Sequence, residues 1–342
     1  MKKHRSRILA AAFAILAMSV LVLWFLRPPQ AGGSIIWGVT FSHTFAEHLN
    51  LDWRETYIAV LDDLGARNIR VPVYWPEIES EKGIFDFSDY DWMMDEAKKR
   101  DANITLVVGQ RVPRWPECHV PMWTERLSKD ERAKALRGAI TEIVERYKKS
   151  PALIRWQVEN EPFLPYFGKC PPPDAEALDA EIQLVKFLDP SRPVIVTDSG
   201  ELSIWTAAYK RADIFGTTMY RRVWSNTFSK TFGYITYPLP PKFFWFKTNI
   251  MRALHGNKPI IVSELQAEPW GPEFFRIASM TLEERASTMS VEYFKDNITY
   301  ARAAGFPEVY LWGVEWWYML KQGEEDASYW NFAKEIIQKD NQ

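Results

Sequence analysis

The sequence predicts an α/β fold, a closed (β/α)8 barrel, preceded by a single N-terminal membrane-spanning helix. Three observations carry this expectation. From residue 34 onward, short β-branched or aromatic runs alternate with amphipathic stretches, the pattern of βα units around a parallel sheet. Eight such runs can be counted, and a barrel of eight units typically takes ~250 residues. Ahead of them lies an apolar segment with basic residues on one side only.

That segment comes first in the chain. Lys2, Lys3, Arg5 and Arg7 precede an apolar run from Ile8 to Leu26, and a helix needs ~20 apolar residues to cross the hydrocarbon core. A cleaved signal has a shorter apolar region of ~7–15 residues and ends in small residues. Here Arg27, Pro28 and Pro29 follow. The expectation is an uncleaved anchor within residues 1–33, its basic tip in the cytoplasm, with the 34–342 domain outside it, periplasmic or at the cell surface.

The expected strands are Ile35–Phe41, Asn68–Tyr74, Ile104–Gly109, Ile154–Asn160, Val194–Asp198, Ile214–Tyr220, Ile260–Glu264 and Val309–Gly313. Between them, Trp53–Leu64 carries apolar residues at helical spacing, and Tyr90–Lys99 follows Ser88 as N-cap. Ser128 with Glu131 and Thr281 with Glu284 read as capping boxes, in which hydroxyl and carboxylate satisfy each other's free backbone N–H groups. Those helices should run to about Lys149 and Gly305. Glu176–Leu188, Leu202–Arg211, Phe243–Leu254 and Tyr329–Gln338 complete the set. No Gly-rich phosphate loop follows the first strand, which sets aside an open doubly wound sheet.

Composition narrows the partners. A formal net charge of −2 offers no basic patch for nucleic acid. Sixteen Trp exceed ordinary use, and flat indole faces suit sugar rings as well as cores. The two cysteines, Cys118 and Cys170, fall in Pro-rich loops and are free to form a disulfide outside the cytoplasm. No zinc-like Cys/His spacing occurs, and no cofactor is expected.

The chemistry is carried by two runs. Trp156-Gln157-Val158-Glu159-Asn160-Glu161-Pro162 and Ile260-Ile261-Val262-Ser263-Glu264 each bring a carboxylate to the end of a β-rich segment. An unpaired buried charge is heavily penalised, so two such ends suggest acids facing one pocket. Cleavage of a glycosidic bond needs that pair: one to protonate the leaving oxygen, one to attack or to activate water. Barrel sites lie at the C-terminal ends of the strands, where Glu161 and Glu264 fall.

With Asn160-Glu161-Pro162 ending the fourth strand and Glu264 ending the seventh, the chain resembles the clan A glycoside hydrolases over essentially all of residues 34–342. Arg70 in Asn68-Ile69-Arg70-Val71-Pro72, Asp213-Ile214-Phe215-Gly216 leading to Tyr220, Leu188-Asp189-Pro190 entering strand five, and Trp312 closing strand eight extend the resemblance. It implies a retaining enzyme, with Glu161 as acid/base, Glu264 as nucleophile and Asn160 on the sugar 2-hydroxyl. Arg70 and Tyr220 would steady Glu264, and Trp312 would touch substrate. The sequence departs from the cellulase-like pattern at Thr218 and at Val108-Gly109-Gln110, where histidines are common. Gln157 to Glu161 resembles the β-galactosidase families, though Pro162 does not. The family within the clan stays open.

Other residues are candidates on position. Glu159, two residues before Glu161, should share its face deeper in the barrel and is the alternative acid. His43 and Trp75, which follow strand ends, are read as substrate contacts; Trp115 and Trp316 could stack on sugar or fill the core. Glu268 reads as a loop residue or a substrate contact, Glu315 after strand eight could reach the pocket, and His119 reads as a loop residue. The aromatic segment Arg221–Pro241 is either a wall over the site or a surface loop. The function expected is hydrolysis of a β-linked oligo- or polysaccharide by double displacement. A non-catalytic glycan-binding barrel and a transglycosylase acting on cell-surface glycan are the alternatives.

Overall fold

A computed structural model of the chain describes residues 34–224, 233–271, 280–323 and 326–340, with isolated positions elsewhere. Its centre is a barrel of eight parallel strands: β1 (Ile36–Thr40), β2 (Asn68–Pro72), β3 (Asn103–Val108), β4 (Leu153–Val158), β5 (Val194–Asp198), β6 (Ile214–Met219), β7 (Ile260–Gln266) and β8 (Glu308–Trp312). Each strand pairs with its sequence neighbours, and β8 closes on β1 in register from Ile36 opposite Glu308 to Thr40 opposite Trp312. All eight expected strands are present. Most of the expected membrane helix lies outside the described residues. Among the described residues no helix is long and apolar enough to cross a membrane.

The helices follow the sequence signals closely. Both capping boxes form, at Ser128 with Glu131 and at Thr281 with Glu284. Three departures have local causes. The helix expected from Thr281 to Gly305 breaks at Ser290, whose extended backbone and hydroxyl cap a second helix, Val291–Ala304. The helix expected from Leu202 starts only at Thr206. There the Lys247 ammonium donates to the carbonyls of Gly200 and Ser203, holding the preceding loop open. Ser88 is the first residue of its helix, and the Asp86 carboxylate accepts its N–H. Short helices after β1 and β2 and a longer one after β8, His43–His48, Trp75–Ile78 and Val314–Gly323, had no clear periodicity to announce them.

Side chains fill the barrel, so it is a packed core and not a pore. Toward its lower end Arg155 of β4 forms an ion pair with Glu308 of β8, and both meet Tyr310. Ile195, Ile261 and Tyr310 pack together beside this pair. Because Arg155 is almost fully buried, removing its partner strands a charge away from water. Glu308→Ala should therefore cost about 3–5 kcal/mol, read as a lower midpoint in urea denaturation. A loss below about 1 kcal/mol, the usual value of an exposed pair, would show that the pair is solvated.

Candidate active site

At the C-terminal mouth lies a cavity of about 650 Å³. Asn160, Glu161, Tyr220, Glu264 and Trp312 all line it, so five of the residues singled out in the sequence converge on one space.

The backbone decides how the β4 end presents its acids. Strand alternation stops at Val158, because Glu159 and Glu161 both take left-handed conformations, φ 57° and 45°. Glu159 consequently turns sideways, not into the barrel as alternation predicts. Its carboxylate accepts the N–H groups of Gln110 (2.9 Å) and Arg111 (2.7 Å). Gly109 is required there, since a Cβ would sit 2.4 Å from Glu159 Oε1. Glu159 thus ties the β3 loop to β4 and does not line the cavity. Glu161 does. The Thr197 hydroxyl accepts its N–H at 2.9 Å, and Thr218 Oγ1 lies 3.2 Å from its Oε1. Burial, then the charges of Glu264 and Glu117, push the Glu161 carboxyl well above the ordinary carboxylate range. It is held as an acid.

Glu264 is aimed by an irregularity in β7. Both of this strand's ladders shift register near Glu264, against Thr217 and Thr218 on one side and Val309 and Leu311 on the other. Such shifts commonly re-aim side chains beside functional sites. Arg70 Nη1 donates to Glu264 Oε1 (2.9 Å) and the Tyr220 hydroxyl to Oε2 (2.9 Å). Arg70 also donates through Nε to Gln157 (2.8 Å) and through Nη2 to Asn160 Oδ1 (2.7 Å). Arg70 is not a surface group of the cavity, as a substrate contact would be. It is fully buried behind the lining residues and reaches the site through Glu264 and Asn160.

Two expected contacts are displaced. His43 is buried among Trp53, Tyr74 and Tyr90, and burial lowers its pKa to about 4. The helix beginning at His43 turns Thr44, Phe45 and His48 to the cavity instead. Trp75 is likewise buried, its indole N–H on Glu79 (2.7 Å) and its ring against Trp123, while Tyr74 lines the cavity. Trp316 is core. Trp115 and His119 both line the cavity, the latter against its reading as a mere loop residue. Trp312 contributes its ring, with its N–H on Glu268 (2.7 Å) and the Arg114 guanidinium 4.3 Å from the ring centroid. Arg114 bridges Glu268 (2.5 Å) and Glu315 (2.6 Å); Glu315 is fully enclosed, and Glu268 reaches the wall. At the ends of the aromatic loop, Val223, Trp224 and Tyr237 line the cavity, as a wall requires; residues 225–230 lie outside the described residues.

Sequence reasoning missed Glu117 and Glu201. Both line the cavity, and burial above all raises each carboxyl to about 8. They sit in loops after β3 and β5 with no spacing to mark them. The one local signal was the cysteine next to Glu117: Cys118 and Cys170 are bonded, Cα atoms 5.2 Å apart, joining the β3 and β4 loops.

The parallel eight-stranded barrel with acidic groups converging at its C-terminal mouth is that of a clan A glycoside hydrolase, as the family match shows. The family model described as glycosyl hydrolases family 2, TIM barrel domain, matches residues 52–299, and the chain belongs to this family. The protein is a glycosidase. Among solved structures it resembles GH5_18 from Bifidobacterium longum subsp. longum (12% identity, TM-score 0.57, 82% of this chain and 70% of that one). It also resembles GH5_18 from Streptomyces cattleya in complex with GlcNAc (14%, TM-score 0.58, 82% and 71%). The β-galactosidase of Marinomonas ef1 is similar too (13%, TM-score 0.56, 89% and 59%). At these identities the likeness is one of fold. A search of curated proteins gives no significant match.

The raised acid at Glu117 has a thermodynamic consequence. Its folded value of about 8 exceeds the unfolded 4.5, so the folded state binds the extra proton between them. Stability should therefore fall as pH rises through that window. Glu117→Gln removes the titration, so it should melt close to wild type at pH 4 and about 4 °C or more above it at pH 8.5. Equal shifts at both values, followed by thermal denaturation, would show that Glu117 ionises freely in the fold.

Proposed function

We propose that the protein is a retaining glycosidase acting on a β-linked oligo- or polysaccharide. The observation that carries this reading is the contrast between two carboxyl groups lining one cavity. Glu161 is held protonated, while Glu264 has a guanidinium on one oxygen and a phenol on the other. Environments that separate two carboxyls in this way assign them acid and base roles. Glu161 donates its proton to the glycosidic oxygen as that bond breaks, and Glu264 attacks the anomeric carbon to form a glycosyl ester. Water, deprotonated by Glu161, then attacks the same carbon and releases Glu264. Asn160 hydrogen-bonds the 2-hydroxyl, a contact that tightens as the ring flattens.

The neighbours support a carbohydrate substrate: one GH5_18 structure holds GlcNAc and another Manβ1-4GlcNAc. A cavity of 650 Å³ falls within the range of ~300–1,000 Å³ usual for small-ligand sites. The basic, then apolar N-terminal segment supports a tether that holds the domain outside the cytoplasm, where Cys118 and Cys170 can stay oxidised. Alkaline phosphatase fused after residue 33 should be active in cells; an inactive, stably expressed fusion contradicts this placement.

An activated 2-deoxy-2-fluoro β-glycoside should label Glu264 covalently, detected by peptide mass spectrometry, and Glu264→Ala should lose turnover. Glu161→Ala should lose roughly 100- to 10,000-fold on substrates with poor leaving groups, the usual worth of general acid catalysis. Azide should restore its activity on substrates with good ones. Robust turnover by Glu264→Ala rules out this mechanism, and azide rescue in Glu159→Ala instead of Glu161→Ala moves the acid to Glu159.

A further inference from the structure

The mechanism above leaves the buried carboxyl of Glu117 without a task. Glu117 is 3% exposed, lines the cavity, and its Oε2 accepts from Asn160 Nδ2 at 3.2 Å. The orientation of that amide is fixed from behind. Asn160 Oδ1 takes hydrogen bonds from Arg70 (2.7 Å), Thr197 (3.2 Å) and Gln157 (3.3 Å), so its NH2 must face Glu117. A sugar group that reaches Asn160 Nδ2 therefore arrives beside the Glu117 carboxyl.

Glu117 is also rigidly placed. Its backbone is left-handed (φ 72°), its neighbour Cys118 is bonded to Cys170, and Gly168 packs so closely that a Cβ there would lie 2.7 Å from Glu117 Cβ. Its backbone and the base of its side chain are therefore held in place. After burial, the charge of Glu264 is the largest influence raising its pKa, which puts it near the reacting centre.

We propose that Glu117 contacts the substituent at C2 of the sugar held between Glu161 and Glu264, and selects a group that donates a hydrogen bond, a hydroxyl or an amine. This rests on the retaining reading, in which Asn160 meets the same position. A carboxyl offers acceptor oxygens where Asn160 Nδ2 offers a donor. Together they bracket a hydroxyl or a neutral amine, each of which donates one hydrogen bond and accepts another.

The test compares wild type, Glu117→Ala and Glu117→Gln on 4-nitrophenyl β-glycosides. The best substrate among gluco, galacto and manno forms is taken with its 2-deoxy and 2-amino-2-deoxy analogues. On the parent, kcat/KM of Glu117→Ala should fall at least about tenfold, the value of a hydrogen bond lost from a buried site. On the 2-deoxy analogue the fall should stay within about threefold, since no donor is present to lose. Labelling of Glu264 by the 2-fluoro reagent, whose fluorine donates nothing, should be similarly insensitive. A larger effect on the amine than on the hydroxyl identifies an amino sugar, and the reverse a neutral one. Circular dichroism controls for folding, and Glu117→Gln, which keeps an acceptor oxygen, should lose less than Glu117→Ala. Equal losses on parent and 2-deoxy substrates, or no loss on the parent, overturn the role of Glu117 while leaving hydrolysis intact. A wild-type enzyme that cleaves none of the panel and takes no label defeats the retaining reading, and this proposal with it.

Discussion

The guanidinium of Arg70 is the interaction on which the site depends. From β2 it reaches the end of β4 through Gln157 and Asn160 and the end of β7 through Glu264, so one planar cation ties three strands. A flexible lysine ammonium could not match this fork of donors. Its burial makes the arrangement all-or-none: without Arg70, Glu264 and Asn160 would lose the partners that orient them, and with it neither has freedom to turn. The positions of the Glu264 carboxyl and of the Asn160 NH2 in the cavity are thus consequences of one side chain beneath it.

Charge balance follows from the same group. Glu117, Glu161 and Glu264 lie near enough that each of the first two feels the third, yet a single arginine is hydrogen-bonded among them, and it sits on Glu264. Like charges in a dry site cannot all ionise. The guanidinium sits on Glu264, and the other two carboxyls are raised toward their protonated forms. On the far wall Arg114 is shared by Glu268 and Glu315, and burial raises the Glu315 carboxyl above its ordinary range. The three carboxyls therefore differ in kind, Glu264 holding the guanidinium while Glu117 and Glu161 are raised.

How much of this could be read from the chain depends on range. The eight strands, both capping boxes and the convergence of Glu161, Glu264, Asn160, Tyr220 and Trp312 are written in local runs whose periodicity and end residues survive folding. Trp75 and His43 failed because one helical turn after a strand reverses which face looks inward. Glu159 failed because alternation does not pass through a left-handed residue. Glu117 and Glu201 were invisible for a different reason. Their acidity comes from enclosure by segments distant in sequence, and no spacing encodes that.

The mouth also concentrates unfavourable backbone. Arg114, Glu117, Glu159, Glu161 and Trp205 all have positive φ, in the loops after β3, β4 and β5. Such residues cost of order 1–3 kcal/mol each and persist only where surroundings over-determine them. Here the surroundings are identifiable. Glu159 accepts two backbone N–H groups of the β3 loop, and Arg111 donates to the carbonyls of Leu164 and Phe167 in the β4 loop. Arg114 is held by two carboxylates, and the Cys118–Cys170 bond closes the frame. The β3 and β4 loops are therefore one mechanical unit. What it supports is the pair of acids at positions 117 and 161, which regular strand geometry would have pointed elsewhere. Strain at the barrel mouth is the means by which these two raised carboxyls are brought to one cavity, and the well-packed barrel beneath supplies the stability that this requires.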